Sequence, residues 1–328
     1  MKQSKRIAKY ILPVVIVLLV ALMAVVPFFT DPYKVVFLRT ILMFVILTLS
    51  WSLFSGTTGY TSLATAAFYG AGLYTTAYLG EKLPLPLMVV CGGITAFALA
   101  LLMGAITLRL KGIYFAIFTL SSVELIKQVL HWYEINIVGV RGHYVTRVND
   151  VTVYYVLLVI TVLLVLTIYL IKRSRYGLAL NSIGSCEEAA AHIGINVVGL
   201  KILAYAISSF FIGMAGAIMA TGMLYIDSYV AFDLNYSFFP TLMAIFGGLG
   251  NILGPLVGAA VFTYLREILI TKYSYHYMLI FGTVMVLTIL YLPSGLIGLA
   301  QNIWKKLTTP APTKGLKTEG GKHADTSC

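Results

Sequence analysis

Two adjacent acidic residues, Glu187 and Glu188, lie in the longest polar stretch that separates two apolar segments, Lys172 to Lys201. Ser185 stands three residues before Glu188, which is the spacing of a capping box, and the alanines after Glu188 are strong helix formers. Gly194 suits the position that follows a helix end. The stretch therefore predicts a short capped helix that begins near Glu187 and ends before Gly194.

An isolated helix of this length is marginal in water, so two interpretations of it remain open. It is either a capped connector turn or an element held by its neighbours or in the groove of a partner protein. Lys172, Arg173 and Arg175 follow one apolar segment, and Lys201 precedes the next. Because positive charge beside membrane spans marks the cytoplasmic side, we expect this loop in the cytoplasm.

A second group of polar residues interrupts the apolar part of the chain. The run from Ser55 to Ser62 is rich in glycine and threonine and separates two apolar segments. Irregular backbone at membrane depth is tolerated only where protein buries it or where it lines a water-filled cavity. Tyr60, Thr61 and Ser62 therefore either border a translocation path or belong to a plain interfacial turn.

Glu124 is an acidic residue well inside a predicted membrane helix. Ionisable groups in the membrane are costly and often functional, so this carboxylate is a further candidate for the same path, although a weaker one than the three residues above. Lys127 follows three residues later on the same helix face, so a local ion pair near the external interface also explains the two charges. We favour the ion pair.

The elements that position these residues are apolar helices. Hydrophobic residues make up 59% of the chain and charged residues only 11%, and the mean hydropathy is +0.92. Soluble domains carry about a quarter charged residues, so the composition predicts an all-α polytopic membrane protein. The net charge of +11 comes from cations beside apolar segments and not from a basic face, so we expect no nucleic-acid partner.

Apolar runs predict ten membrane spans with both termini in the cytoplasm. A helix needs about 20 residues to cross the hydrocarbon. The eighth run is too short unless its helix breaks, and Gly247, Gly248 and Pro255 lie at the expected break; a re-entrant segment there would leave an odd number of spans. The runs are 10–29, 35–54, 63–79, 87–108, 113–130, 151–171, 202–221, 236–246, 256–270 and 277–291.

These spans divide the chain into three parts. Residues 1–9 form a cytoplasmic N-terminal segment, and residues 10–300 form the transmembrane domain, which includes the polar loop 172–201. Residues 301–328 are rich in lysine, glycine, threonine and proline, a composition that predicts a disordered cytoplasmic tail. Ser209, Gly213 and Ala217, four residues apart in the seventh span, predict a ridge of small residues for close helix packing.

Several kinds of chemistry are absent from the sequence. It contains no G-x-x-x-x-G-K-[ST] phosphate loop, no H-E-x-x-H and no G-x-S-x-G, and its five histidines lack metal-ligand spacing. We therefore expect no enzymatic activity, no metal and no cofactor on this chain. An ion-coupled carrier normally shows several ionisable residues in the membrane, so that class is only weakly supported.

Four stretches, in the same order, resemble the branched-chain amino acid permeases of ABC importers, of the LivM type. The run from Glu187 to Asn196 resembles their EAA loop. The other three are GYTSLATAAFYGAGLYTTAYL from Gly59, RLKGIYFAIFTLSSVELIKQVL from Arg109 and FPTLMAIFGGLGNILGPLVGAA from Phe239. The resemblance covers about 56–298, although the family often carries more charge beside the EAA core than this chain does at 181–186.

The resemblance implies the type II importer architecture in a bacterial plasma membrane. It implies that the loop forms a coupling helix seated in a cleft of an ATPase subunit. It further implies a LivH-type second permease subunit, two ATPase subunits that bind ATP and Mg²⁺, and an extracytoplasmic substrate-binding protein. The expected cargo is leucine, isoleucine and valine, with urea, short amides or other amino acids as the alternative. The coupling residues would be Glu187, Glu188, Ala189, Ala190, Ala191 and Gly194.

Overall fold

The computed structural model describes residues 23–273, apart from 29, 81 and 250–251, and separate residues between 275 and 298. Most of the predicted first span, 10–29, and much of the last, 277–291, lie outside the described residues. The predicted tail, 301–328, lies wholly outside them.

The described part of the chain is almost entirely helical, with one short antiparallel strand pair. The elements are α1 (Pro32–Thr58), α2 (Thr65–Leu79), α3 (Leu85–Thr107), α4 (Ile113–Tyr133), β1 (His143–Tyr144), α5 (Asp150–Arg173), α6 (Arg175–Ser185), α7 (Glu187–His192), α8 (Val197–Ala220), β2 (Tyr225–Ile226), α9 (Ser228–Ala231), α10 (Asn235–Gly247) and α11 (Leu253–Lys272). A π-helical turn, Glu134–Val138, continues α4.

Six of these helices are long and apolar enough to cross a membrane, namely α1, α3, α4, α5, α8 and α11. Two more apolar helices are shorter, with 15 residues in α2 and 13 in α10. The all-α polytopic class is confirmed. The count of ten spans is not, because within the described residues only these six helices reach spanning length.

Both short helices adjoin a break in regular backbone, as the sequence predicts. Helix α1 ends at Thr58, and Gly59 follows in the left-handed conformation with φ of 76°. Helix α10 ends at Gly247, and Gly248 follows with φ of 98°. A Cβ on Gly254 would lie 1.9 Å from the Gly248 carbonyl oxygen, so the second break folds tightly against the start of α11.

Helix α8 lies at the centre of the bundle, because 78% of the residues in its most apolar 18-residue segment are buried. It packs mainly against α2 and α3 and also contacts α1 and α5. A Cβ on Gly72 would lie 2.1 Å from the Gly213 carbonyl oxygen, and one on Gly213 would lie 2.4 Å from that of Gly92. Ser209 and Ala217 are fully buried, so the predicted small-residue ridge is confirmed.

Helix α4 is the least buried of the six long helices, since only 17% of the residues in its most apolar 18-residue segment are buried. Ile113, Tyr114 and Leu125 are each more than 60% exposed. A helix with this much apolar surface must face lipid or another apolar protein surface, because water would leave it unstable.

The loops separate to opposite ends of the bundle. Strands β1 and β2 pair His143 with Ile226, which joins the loop between α4 and α5 to the loop that follows α8. At the other end, a Cβ on Gly184 of α6 would lie 2.2 Å from the Thr57 carbonyl oxygen at the end of α1. The polar loop 172–201 is therefore packed directly on the end of a membrane helix.

We predict that Gly213→Val lowers the thermal stability of the purified chain in detergent. The added side chain has no room beside the backbone of α3, and overpacking of a tight contact costs about 1–3 kcal/mol. Leu203→Val is the control, since Leu203 is on the same helix and 42% exposed. Equal unfolding midpoints for the two variants would contradict the close approach of α8 and α3.

Candidate functional site

The polar loop folds into two helices, α6 and α7. Ser174 is the N-cap of α6 and accepts a hydrogen bond from the backbone N–H of Gly177 at 3.4 Å. The capping box predicted for Ser185 and Glu188 is wrong. Ser185 is the last residue of α6, and its hydroxyl donates to the carbonyl of Asn181 at 3.0 Å. A serine at a helix end finds the carbonyl four residues earlier within reach, which competes with capping of the next helix.

The end of α7 has the predicted form. Gly194 has φ of 86°, its N–H donates to the Ala191 carbonyl at 3.0 Å, and the N–H of Ile195 donates to the Ala190 carbonyl at 3.2 Å. These are the two hydrogen bonds of a Schellman motif. Nothing lies within 4 Å of a Cβ at Gly194, so the glycine is required for the backbone conformation and not for space.

Helix α7 presents only part of the predicted coupling set to the outside. Ala190 is 2% exposed and packs with Ile183 of α6 and Val197 of α8. Glu188 and the remaining alanines are exposed, and the Glu188 carboxylate lies 3.4 Å from the Lys111 ammonium in a surface ion pair. We call this outer surface the docking face; it consists of Glu188, Ala189, Ala191, His192 and Ile193.

Glu187 points inward, toward the first break. Its carboxylate accepts one hydrogen bond from the Tyr60 hydroxyl and another from the Lys201 ammonium at 2.9 Å. The Lys201 side chain is 1% exposed, and its nitrogen lies 4.2 Å from the centroid of the Tyr60 ring. The structure therefore joins the predicted coupling helix to the predicted path residues through three side chains, which we call the Tyr60–Glu187–Lys201 cluster.

The charges in this cluster set the protonation of Glu187. Burial raises the pKa of the Glu187 carboxyl. The hydrogen bonds from the Tyr60 hydroxyl and the Lys201 ammonium, with the positive charge of Lys201, lower this pKa by more than burial raises it, so the net pKa is below the ordinary value. Glu187 is thus ionised at neutral pH. Since the folded-state pKa is the lower one, the stabilisation is present above the ordinary glutamate pKa of about 4.3 and is lost as the pH falls through the folded-state value.

The three residues predicted at the first break occupy different environments. Ser62 is 4% exposed, and its hydroxyl lies 3.1 Å from that of Tyr205. Thr61 is exposed, whereas Tyr60 is partly buried with its ring edge-on to Phe115 at 5.5 Å. Of the three, Thr61 is the most exposed residue.

Side chains from neighbouring helices satisfy the irregular backbone of this break. The N–H of Leu63 donates to Thr119 of α4 at 3.1 Å, and the N–H of Ala66 donates to Ser237 of α10 at 3.0 Å. The carbonyl of Ser62 accepts from the Trp51 indole at 2.7 Å. Protein therefore buries part of the break, which is one of the two conditions for irregular backbone in a membrane.

Glu124 forms the favoured local ion pair. Its carboxylate lies 2.5 Å from the Lys127 ammonium and accepts a hydrogen bond from Gln128 at 2.9 Å. The side chain is 44% exposed on the outward surface of α4, away from the first break. The structure therefore does not bring Glu124 together with Tyr60, Thr61 and Ser62.

A cavity of about 480 Å³ lies beside the loop, between α1, α5, α6 and the second break. The polar residues in its wall are Ser52, Thr57, Lys172 and Asn181. Within the described residues, no three His, Cys, Asp or Glu side chains are grouped closely enough to hold a metal ion.

Lys201 also belongs to the site, although the sequence predicts it only as a charge beside a membrane span. It lies four residues after Val197 and four before Tyr205, so it is on the buried face of α8. A cation on an otherwise apolar helix face is the sequence signal for such a buried partner.

Comparison with known proteins identifies the family. The model of the branched-chain amino acid transport system permease component matches residues 35–289. The chain belongs to this family. The permease is 26% identical to the high-affinity branched-chain amino acid transport system permease protein LivM of Escherichia coli, over 89% of this chain and 79% of the relative.

Two further relatives give the same result. LivM of Salmonella typhimurium is 25% identical over 84% of the permease and 72% of its own length. A probable LivM of Methanocaldococcus jannaschii is 25% identical, with 72% of the permease and 73% of the relative covered. No solved structure matches the chain.

We predict that Ala190→Trp opens the loop of the isolated permease, whereas Ala189→Trp does not. Ala190 is enclosed between α6 and α8, so an indole there must displace α7, while Ala189 faces solvent. Trypsin reports the opening, because cleavage after the buried Lys201 requires local unfolding. Equal cleavage rates in the two variants would contradict the orientation of α7.

Proposed function

We propose that this permease is one half of the membrane channel of an ATP-driven importer that carries leucine, isoleucine and valine into the cell. Membership of the branched-chain amino acid permease family and the relatives named LivM support this cargo. The chain contains no phosphate loop, so ATP and Mg²⁺ belong to separate ATPase subunits.

The observation that carries the proposal is the placement of α7. A connector turn needs no defined outer surface, yet α7 has both ends fixed and shows a small docking face to the outside. The face combines two alanines with Glu188 and the 74% exposed Ile193. Small side chains allow a partner to approach closely, and the exposed apolar side chain and the carboxylate supply contacts for a groove.

The proposed assembly contains two permease subunits, two ATPase subunits and an external substrate-binding protein. Helix α4 supports a second membrane subunit, since its apolar surface is largely uncovered by the rest of this chain. The assembly lies in the plasma membrane with both termini of the permease in the cytoplasm, which the lysines and arginines beside the predicted spans support. Urea, short amides or other amino acids are the alternative cargo.

Tyr60, Thr61 and Ser62 are proposed to form the border of the path, with Glu124 as a weaker member. Thr61 would face the passage, and Ser62 would hold the break in place through Tyr205 and Trp51. A weakly polar border suits an apolar side chain, because tight binding in the membrane would slow its release. Glu124 is already paired with Lys127, which leaves little support for an ion-coupled carrier.

The first test is uptake of labelled leucine by vesicles that contain all subunits of the importer. We expect uptake only with ATP, and we expect Ala189→Trp to abolish co-purification of the ATPase subunits because the indole would fill the docking face. Tyr275→Trp is the control, since Tyr275 is 99% exposed and not in the loop. ATP-independent uptake by the permease alone would refute the importer, and normal assembly of Ala189→Trp would refute the docking face.

The second test places single cysteines at the break in a variant without Cys91, Cys186 and Cys328. We expect Thr61→Cys to react with a small hydrophilic thiol reagent in at least one nucleotide state and Ser62→Cys to react far more slowly, because Ser62 is buried. With Cys328 restored alone, labelling only from the cytoplasmic side would support the orientation. A Thr61→Cys variant that never reacts would contradict the path.

A further inference from the structure

Lys201 is the buried cation nearest to α7. It lies in the second turn of α8, and its side chain is 1% exposed although it is close to the loop. In the described part of the chain, the carboxylate paired with its ammonium belongs to Glu187, which is 25% exposed. The pair therefore ties the first residue of α7 to the central helix of the bundle.

The pair is not explained by stability alone. Removal of an ammonium from water costs several kcal/mol, and replacement of a buried ion pair by apolar residues is often neutral or stabilising. Helices α6 and α8 already enclose α7 through Ala190, Ile183 and Val197. A connector that needed only to be held in place would be served by that apolar contact.

What the ion pair adds is a direct link to the first break. The Glu187 carboxylate also accepts a hydrogen bond from the Tyr60 hydroxyl, and the Lys201 ammonium lies 4.2 Å from the centroid of the Tyr60 ring. Tyr60 follows Gly59 at the end of α1 and packs edge-on against Phe115 of α4. A shift of α7 must therefore either move Tyr60 or break a partly buried, charge-assisted contact.

We propose that Lys201 is a positioning residue that locks α7 to the break between α1 and α2, so that displacement of the docking face is transmitted to Tyr60 and Thr61. This rests on the proposed function, because it takes α7 to be the element that the ATPase subunits move. The cluster acts as a rigid strut between the docking face and the border of the path. Neither Lys201 nor its contact with Tyr60 is needed for α7 to bind a partner, since both lie on the opposite side of the helix.

The test measures ATP hydrolysis and leucine uptake together in vesicles that contain the complete importer. Lys201→Met keeps the length of the side chain and removes its charge. We expect hydrolysis to persist while uptake per ATP falls about tenfold, within the range of typical coupling free energies. Tyr60→Phe removes only the hydroxyl that donates to Glu187, and we expect a smaller fall in the same ratio.

Two variants separate coupling from a merely structural role. Lys201→Arg keeps the positive charge and the contact with an aromatic ring, so it should retain most of the uptake per ATP. Lys34→Met is the matched control, because Lys34 is 61% exposed in a surface pair with Asp31, and such pairs contribute little. If Lys201→Met does not assemble with the ATPase subunits, the test rests on Lys201→Arg. A Lys201→Arg variant that does not retain uptake per ATP would contradict the proposal.

A second readout follows the break itself. In a complex that carries Thr61→Cys and retains Lys201, the rate at which the cysteine reacts with a hydrophilic thiol reagent should depend on ATP. When Lys201→Met is added, that dependence should disappear. Normal uptake per ATP together with an ATP-dependent rate in Lys201→Met would overturn this inference alone. A wild-type complex without ATP-driven uptake would overturn the proposed function and this inference with it.

Discussion

The constraint on which this structure depends is that backbone hydrogen-bonding groups within a bilayer must find partners inside the protein. Six long helices meet it through their own backbone. At the break between α1 and α2 the helix cannot do so, and Thr119, Ser237 and Trp51 bond the backbone instead. Trp51 belongs to α1 itself, but Thr119 and Ser237 belong to α4 and α10, so the break also binds two helices that are distant in the sequence.

The same break meets the polar loop 172–201. Gly184 of α6 lies against the backbone at Thr57, which leaves room for no larger residue. Helix α7 then sits beside Tyr60, and the ion pair of Glu187 with Lys201 fills the space between them. The proposed docking face and the border of the proposed path are consequently parts of one packed unit.

The close approach of α8 to α2 and α3 gives that unit a fixed base. Gly72, Gly92 and Gly213 let the three helices touch through their backbones, and lipid supplies no hydrophobic force to hold helices together. Lys201 extends from the same central helix. It is therefore anchored on the most buried of the six long helices, whereas α4 is the least buried.

The sequence by itself determined the class of the protein, the two breaks and the end of α7. These features depend on local chemistry that a single stretch of chain contains. They follow from the hydropathy, from Gly59 and Gly248 at the breaks, and from the position of Gly194 after the helix. The small-residue ridge of α8 was visible for the same reason. The start of α7 at Glu187 was also visible, but the cap before it was not, because Ser185 had two possible backbone partners and spacing could not choose between them.

Only the tertiary structure decided which residues of α7 face outward and which side chains Lys201 contacts. Ala190 and Ala189 are chemically identical neighbours, and the contact with Ile183 and Val197 distinguishes them. Tyr60 and Glu187 are 127 positions apart, so no local pattern could pair them. Burial of a charge depends on every helix packed around it, and that is a property of the assembled bundle, not of the sequence near Lys201.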